Sequence, residues 1–342
     1  MQAKRAVITA RNRVVLEEVE VNLSNLGPGQ VALETLATFI SAGTELSIYS
    51  GLDPDAERPD GWCRYPFRPG YANVARVTAV GEGVVAAAPG DRVFTMHGHV
   101  SHHIYDLSEA RFMVPVPKEL DDGEAAAACM AMIAFAGLQA ADVQLNDWVA
   151  VFGLGTIGNL ASQLFRLSGA RVIGIDPVAS RCERARAVGV EHVLSGPPEE
   201  VAQAVRKLTG GGVRVAVDAV GDSRVVQQAA ALTADFGDVV LLGTPRAPVE
   251  TDLTELLTHV HRRWVTLKGA LEFRIPVKPV REVRHSVQGN LETAFSLMQQ
   301  GKLKVAPLIS HRLPAEQIEK AYRGLLEDKK TYTGVVLLWT RR

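Results

Sequence analysis

The sequence predicts an α/β protein with two domains, one a doubly wound parallel sheet and the other built mostly from β-strands. Three observations lead to this prediction. The chain has 342 residues, more than one hydrophobic core usually holds. Apolar, strand-like runs alternate with helical patterns between residues 148 and 271. Short apolar runs broken by Gly, Pro, Asn and Asp fill most of the first 121 residues.

The short runs near the start of the chain have the spacing of a barrel-like β domain. They lie at residues 5–9, 30–34, 75–80, 91–94 and 112–117. An Ala-rich helical stretch at 124–141 ends this region. We expect one domain to span 1–122 and to be completed by the β-like tail at 304–342, where strands are predicted at 306–310 and 333–338. The other domain is expected to span 123–303.

The second domain has the alternation of strands and helices that is typical of a parallel sheet. Six candidate strands lie at 148–153, 171–176, 191–194, 213–218, 237–243 and 264–271. Helical patterns stand between most of them, and a further helix near 291–300 ends at Gly301. Strand and helix in alternation favour right-handed crossovers and a doubly wound sheet.

A glycine motif follows the first of these strands. Gly153, Gly155 and Gly158 form G-x-G-x-x-G, and an amphipathic stretch at 159–168 comes next. The first glycine permits a tight turn, the second lets the backbone approach a pyrophosphate, and the third lets the helix pack closely on the strand. Thr156 and Ile157 lie at the helix start, whose N–H groups and dipole favour phosphate. This pattern predicts a dinucleotide site of the Rossmann type.

An acidic residue, Asp176, ends the next strand. A carboxylate at this place can bind both hydroxyls of an adenosine ribose, and it would repel a 2′-phosphate. We therefore expect NAD(H) rather than NADP(H).

Charge and cysteine content exclude several other classes. The formal net charge is −1, so no electrostatic footprint for nucleic acid or an anionic membrane is present. The three cysteines have no C-x-x-C spacing, and no early segment has the apolar length of a signal peptide or membrane span. These features predict a reduced, cytoplasmic protein that binds neither nucleic acid nor membrane.

With these motifs in place, the whole chain resembles the medium-chain dehydrogenase/reductase superfamily, the group of the zinc alcohol dehydrogenases. The resemblance lies in the glycine motif, in Gly43-Thr44-Glu45 at the family's G-T-D position, in Gly70, and in segments 80–84, 89–93, 237–243 and 303–311. It implies a GroES-like β-barrel catalytic domain beside a Rossmann domain. The cleft between two such domains is the default place for an active site.

Two of the three catalytic zinc ligands of that family are missing. The positions of its three catalytic zinc ligands read Ala42, Tyr71 and Cys129, and the four-cysteine lobe of its structural zinc is missing. Because a tetrahedral zinc site needs three protein ligands and an open position, we expect no zinc. The pattern resembles a branch that contains pigment and secondary-metabolite dehydrogenases.

Without a metal, side chains must stabilise the alkoxide and move its proton. The resemblance assigns Thr44 to the substrate oxygen and to a relay toward the ribose, although an N-cap of a helix beginning near Glu45 is the structural alternative. Tyr71 is a candidate acid or a plug in the vacated space. Ser47 occupies the relay-histidine position. His97 lines the family's pocket and is a candidate general base, with His102 near the pocket mouth.

The resemblance also places further residues on the cofactor side. Arg181 falls where the family often has a basic residue over the ribose, or it is a solvated helix arginine. Two loops would line the nicotinamide half, formed by Ala219, Val220 and Gly221 and by Gly243 and Thr244.

These expectations combine into a zinc-independent, NAD(H)-linked oxidoreductase that interconverts a secondary alcohol and a ketone on a small-molecule metabolite. Two alternatives remain open: an NADPH-dependent quinone or enoyl reductase, and an NAD-binding protein without catalysis. The strand at 264–271 is expected at the sheet edge where the resemblance implies that subunits pair. We expect a homodimer for that reason, and because an exposed apolar edge is a liability.

Overall fold

The structure is a computed structural model that describes residues 1–107, 111–246 and 248–340. The first third of the chain contains the helix α1 (Ala42–Tyr49) and a set of strands. The strands are β1 (Gln2–Ala10), β2 (Arg13–Glu20), β3 (Gln30–Phe39), β4 (Asn73–Val80), β5 (Arg92–Thr95), β6 (His102–Asp106) and β7 (Met113–Pro115). β1 and β2 form an antiparallel hairpin, while β3, β4, β5 and β7 pair antiparallel in that order and β6 joins β3.

The Ala-rich stretch forms the helix α2 (Asp122–Ala140), which confirms the predicted helix within two residues. By length and composition this helix could cross a membrane, but 78% of its apolar window is buried inside the structure. Its alanines from Ala125 to Ala128 have no solvent exposure, because small side chains let the helix pack closely on its neighbours. Such burial is typical of a core helix in a globular fold.

The second region contains the predicted parallel sheet. Its strands are β8 (Trp148–Phe152), β9 (Arg171–Ile175), β10 (His192–Leu194), β11 (Val213–Asp218), β12 (Thr233–Leu241) and β13 (Thr266–Gly269). Its helices are α3 (Thr156–Leu167), α4 (Ala179–Ala187), α5 (Pro198–Thr209), α6 (Ser223–Leu232) and α7 (Thr254–Arg263). The strand order is β10-β9-β8-β11-β12-β13 and every pair is parallel, so the doubly wound prediction is confirmed.

The tail adds α8 (Val287–Gln299), β14 (Ile309–Pro314), α9 (Ile318–Glu327) and β15 (Gly334–Leu338). β15 pairs with β3, and β14 pairs with β15, so the tail rejoins the sheet of the first region as expected. The strand predicted at 306–310 is wrong in its first half, where Ala306–Leu308 forms a 3-10 turn. Pro307 explains this, since it cannot donate to a strand ladder and its fixed φ suits a helical turn.

Two compact units divide the chain. The first comprises Met1–Cys129, Ile275–Gly301 and Ile309–Arg342, and the second comprises Met130–Arg274 and Lys302–Leu308. This division differs from the predicted boundaries mainly in the segment Ile275–Gly301, which the sequence assigned to the sheet domain. The segment carries α8, and the amide of Gln299 donates to Glu119 of the first unit across 3.1 Å.

The last strand of the parallel sheet is shorter than the predicted 264–271. Trp264 adopts a left-handed backbone with φ of 55° and ends α7 instead of starting the strand. β13 lies at the outer edge of the sheet, and Trp264, Leu267 and Leu271 are 70%, 42% and 51% exposed. An apolar edge is therefore present, although it is built differently from the expectation.

Candidate functional site

The turn between β8 and α3 has the geometry that the glycine motif predicts. Gly153 follows the strand with φ of +86°, a conformation that favours glycine, and its N–H donates to the Ile175 carbonyl across 2.8 Å. A Cβ on Gly158 would lie 1.8 Å from the Gly153 carbonyl oxygen, so a larger residue cannot fit there. A Cβ on Gly155 would meet nothing within 4 Å. A ligand can therefore approach the protein backbone closely at Gly155.

The start of α3 lies directly behind this open space. Gly155 is the N-cap residue, and Thr156, Ile157 and Gly158 form the first turn. The N–H groups of a first turn have no acceptor within the helix, and the helix dipole adds positive potential there. A phosphate group fits both properties.

Asp176 follows β9 and has its side chain only 1% exposed. Its Oδ2 accepts from the Leu154 N–H at 2.7 Å, its Oδ1 accepts from the Val178 N–H at 2.8 Å, and Arg181 approaches Oδ2 at 3.5 Å. The carboxylate therefore ties the glycine turn to the end of β9, a role that the sequence did not predict. Oδ1, which has one donor, keeps a second lone pair for a ribose hydroxyl.

The two loops assigned to the nicotinamide half lie against each other. A Cβ on Gly221 would lie 2.4 Å from the Thr244 carbonyl oxygen, and one on Gly243 would lie 2.3 Å from the Gly221 nitrogen. Asp218, at the end of β11, accepts from the N–H groups of Val220 and Gly221 at 2.8 and 3.1 Å. Ala219 begins the same loop. These loops follow the carboxyl ends of adjacent strands, where open α/β sheets bind ligands.

A cluster of three hydroxyl groups lies at the start of α1 in the first unit. Ser41 is the N-cap residue of the helix, and its Oγ accepts a hydrogen bond from the Tyr71 phenol. Burial is the main cause that raises the pKa of this phenol, and the neighbouring Ser41 and Thr44 side chains partly oppose the rise. Because the helix begins at Ala42, the N-cap interpretation of Thr44 is wrong. Ser41 was missed, because its partner is 30 residues away in sequence.

The Ser47 hydroxyl takes no part in this cluster. It donates to the Thr44 carbonyl at 2.8 Å, one turn back along α1, and the residue is only 4% exposed. A serine that bonds backward in this way uses its proton within the helix. The predicted relay role of Ser47 is therefore not supported by its hydrogen bonding.

A buried hydrogen-bond network anchors the same helix. Glu45 is 1% exposed, and its carboxylate accepts from the Ser41 N–H at 2.7 Å, from the Tyr322 hydroxyl and from His99 Nε2 at 2.9 Å. The other nitrogen of His99 bonds to Thr38 Oγ1 at 2.8 Å. Burial raises the pKa of Tyr322 well above its ordinary range, so its hydroxyl stays protonated and donates to the carboxylate.

The remaining histidines behave differently from a base at neutral pH. His97 and His103 stack with ring centroids 3.9 Å apart, and burial lowers the pKa of His97 to about 4. Burial also lowers the pKa of His103 well below its ordinary value. His97 is thus neutral at pH 7 and too weak a base for the role that the sequence predicted. His102 bonds to Ser101 Oγ at 3.1 Å, and Tyr105 donates to the Phe112 carbonyl at 3.0 Å.

The residues at the family's zinc positions do not fit a zinc ion. Ala42 carries no donor atom, and the Tyr71 phenol is protonated and bonded to Ser41. Cys129 is buried, with its Sγ 3.9 Å from the Tyr71 carbonyl oxygen. Within the described ranges, no group of three or more His, Cys, Asp or Glu side chains could hold a metal. One thiol cannot supply the three ligands that a tetrahedral zinc site requires.

Comparison with known proteins agrees with the fold. A family model described as "zinc-binding dehydrogenase" matches residues 156–276. An alcohol dehydrogenase of Moraxella sp. strain TAE123 is 23% identical, covering 87% of this chain and 96% of its own length. The uncharacterised zinc-type alcohol dehydrogenase-like protein YphC of Escherichia coli K12 is 29% identical, covering 76% and 83%.

Solved structures match almost the whole chain. ECK1772, an E. coli oxidoreductase of unknown specificity, has a TM-score of 0.83 at 17% identity, covering 99% of both chains. The alcohol dehydrogenase rspB of E. coli CFT073, complexed with NADH, has a TM-score of 0.80 at 18% identity, covering 98% and 99%. A protein of Sinorhizobium meliloti 1021, described as a zinc-binding dehydrogenase and bound to NADP, has a TM-score of 0.76 at 19% identity, covering 99% of both.

Proposed function

Because the chain belongs to the medium-chain dehydrogenase/reductase superfamily, we propose that it is a zinc-independent, NAD(H)-linked oxidoreductase interconverting a secondary alcohol and a ketone. The observation that carries the proposal is the hydroxyl cluster of Ser41, Thr44 and Tyr71. It lies where the family has zinc ligands, and it supplies hydrogen-bond donors in place of the metal. Relatives and structural neighbours named as alcohol dehydrogenases support the reaction class.

The cofactor would be held in the second unit by the groups described above. The open space at Gly155 and the first-turn N–H groups of α3 suit the pyrophosphate. Asp176 suits the adenosine ribose, which favours NAD(H). When bound, the nicotinamide supplies the acceptor and donor of the hydride.

The cluster stabilises negative charge on the substrate oxygen. Tyr71 stays protonated at neutral pH because burial raises its pKa, so its phenol acts as a donor. On substrate binding the phenol turns its hydrogen bond from Ser41 Oγ to the substrate oxygen. Thr44 would relay the alcohol proton: its oxygen accepts that proton as its own hydroxyl proton passes on toward the cofactor ribose, and the relay runs in reverse when a ketone is reduced. Such positioned donors are worth about 10²- to 10³-fold in rate.

Rate measurements on single variants test this proposal. We expect Tyr71→Phe and Thr44→Ala to lower kcat at least about 10²-fold on a panel of secondary alcohols and ketones. The NADH dissociation constant of Tyr71→Phe should stay unchanged. Tyr332→Phe is the matched control, since its ring stacks on His311 away from the cluster. Wild-type turnover by Tyr71→Phe, or stoichiometric zinc in the purified protein, would overturn the proposal.

An NADPH-dependent quinone or enoyl reductase is the second candidate. It is favoured by the Arg181 Nε, which is buried without a hydrogen-bond partner beside Asp176 and could meet a 2′-phosphate. Fluorescence titration with NADH and NADPH separates the two. Tighter binding of NADPH would favour the reductase, while NADH binding without any turnover would indicate a protein that binds the cofactor but is not an enzyme.

We also propose that two copies of the chain associate through the outer edge of the parallel sheet. Trp264, Leu267 and Leu271 leave apolar surface beside β13, whose outer backbone groups can pair with a second strand. A C2 dimer would extend the sheet across the symmetry axis.

A further inference from the structure

A small cavity of about 250 Å³ lies in the first unit. Its walls include Arg5, Arg68, Gly70, His97 and His99. The backbone at Gly70 packs closely against the backbone at His99, since a Cβ on Gly70 would lie 2.8 Å from the His99 backbone nitrogen. A volume of this size accommodates a group of a few atoms rather than a whole cofactor.

The cavity adjoins the proposed reaction centre through two of its wall residues. Gly70 directly precedes Tyr71 in the chain, and the His99 ring bonds through Nε2 to Glu45, the residue after Thr44. Hydrogen bonds thus connect the His99 wall through Glu45 and Ser41 to the Tyr71 phenol, a path short enough for a small metabolite to span.

The charges around the cavity are predominantly positive. Arg5 uses Nε and Nη2 on Glu17, which leaves Nη1 for another acceptor. Arg68 is exposed and forms no ion pair within the described ranges. The Glu17 carboxylate is engaged by Arg5, and the Glu45 carboxylate, which bonds to the wall residue His99, is already held by three donors. One guanidinium is thus left without a countercharge.

A buried ring nitrogen adds a second polar group. His97 Nδ1 is buried and has no hydrogen-bond partner, which is costly unless a ligand supplies one. The charges of Arg5 and Arg111, after burial, help to lower the pKa of His97 to about 4. The ring is neutral at pH 7, so its Nδ1 can carry a proton and donate it to an acceptor.

We propose that this cavity binds the anionic group, a carboxylate or a phosphate monoester, of the alcohol or ketone substrate. Arg68 is the main ligand, with His97 Nδ1 and Arg5 Nη1 as further donors. A guanidinium suits this task because its planar N–H fork matches both kinds of anion. The assignment to the substrate rests on the proposed function, whereas the anion site itself does not.

Histidine side-chain NMR on the ¹⁵N-labelled protein tests the anion site without turnover. Inorganic phosphate and acetate are titrated at pH 7.5, and the His97 ring signals are assigned with His97→Phe. We expect phosphate or acetate to shift the His97 signals, and Arg68→Gln to raise the dissociation constant at least about tenfold. Arg68→Lys should bind with intermediate affinity, because it keeps the charge and loses the fork.

Arg64→Gln is the matched control, an exposed arginine on the same segment that bonds to the Pro59 carbonyl at 2.8 Å. It should bind as the wild type does. Unshifted His97 signals, or equal dissociation constants for Arg68→Gln and Arg64→Gln, would overturn the proposal. The phosphate site at α3 does not confuse the result, because it contains no histidine.

Turnover separates the substrate role from the proposed function. Secondary alcohols are compared in matched pairs with and without a terminal carboxylate or phosphate. We expect Arg68→Gln to lower kcat/KM about tenfold for the anionic member alone. The anionic member with the higher wild-type kcat/KM shows whether the substrate carries a carboxylate or a phosphate monoester. If the neutral member reacts and Arg68→Gln leaves kcat/KM unchanged for both members of the pair, the substrate role is wrong and the proposed function stands. Anion binding without turnover of either member overturns the proposed function and leaves the anion site.

Discussion

Two glycines of the turn between β8 and α3 allow cofactor binding to be separated from folding. A Cβ on Gly155 would meet nothing within 4 Å, and its φ of −62° suits any residue. We therefore expect Gly155→Ala to change the free energy of unfolding by no more than about 0.5 to 1 kcal/mol, and in the stabilising direction. The new methyl would occupy the space where a pyrophosphate approaches, so the NADH dissociation constant should rise at least about tenfold.

Gly158→Ala should behave in the opposite way. Its Cβ would overlap the Gly153 carbonyl oxygen at 1.8 Å, and because that atom is backbone the turn itself must move. Overpacking of this kind costs about 1 to 3 kcal/mol. Calorimetry gives the melting temperature of each variant, and fluorescence titration gives its NADH affinity. If Gly155→Ala binds NADH as the wild type does, the pyrophosphate does not lie at this turn and the reasoning fails.

Three further predictions follow from the buried network, the stacked histidines and the sheet edge. Glu45→Ala leaves three buried donors without an acceptor and should lower the free energy of unfolding by about 3 kcal/mol or more, seen as a lower melting temperature. Glu319→Ala, at an exposed ion pair, should lower it by less than about 1 kcal/mol. The pKa of His97 falls from 6.5 to about 4, so the unfolded state protonates first and stability drops as the pH falls through this window. His97→Phe should reduce that drop, by about 3 kcal/mol at most, in melting curves at pH 7 and pH 4.5. Leu267→Lys should turn a dimer into a monomer in light scattering; a wild-type monomer would refute the edge interface.

Local patterns were enough to predict the parallel sheet. Every strand from β8 to β13 was expected within a few residues, because buried parallel strands are short apolar runs and helices must connect them. The errors arose where one backbone constraint overrode the pattern. Trp264 turns left-handed and shortens the edge strand, and Pro307 converts a predicted strand into a 3-10 turn.

Side-chain partners far apart in sequence were beyond prediction. The carboxylate of Glu45 meets His99 and Tyr322, which are 54 and 277 residues away. No periodicity or spacing connects such positions, since only the folded sheet brings them together. The sequence predicted a pKa near neutral for His97, whereas burial lowers this pKa to about 4. The burial depends on the stacking of His97 on His103, which a loop-like sequence with four histidines does not reveal.

The buried network also explains how the hydroxyl cluster can be held without metal ligands. A carboxylate with 1% exposure is stable only when donors surround it, and Glu45 has the Ser41 N–H, the Tyr322 hydroxyl and His99. One of these donors is the N–H of Ser41, so the Glu45 carboxylate holds this N-cap residue in place. The Ser41 Oγ in turn accepts the hydrogen bond from the Tyr71 phenol. Positioned donors help catalysis only when their surroundings prevent them from relaxing. The network therefore gives the cluster, through protein hydrogen bonds alone, the rigidity that the proposed reaction requires.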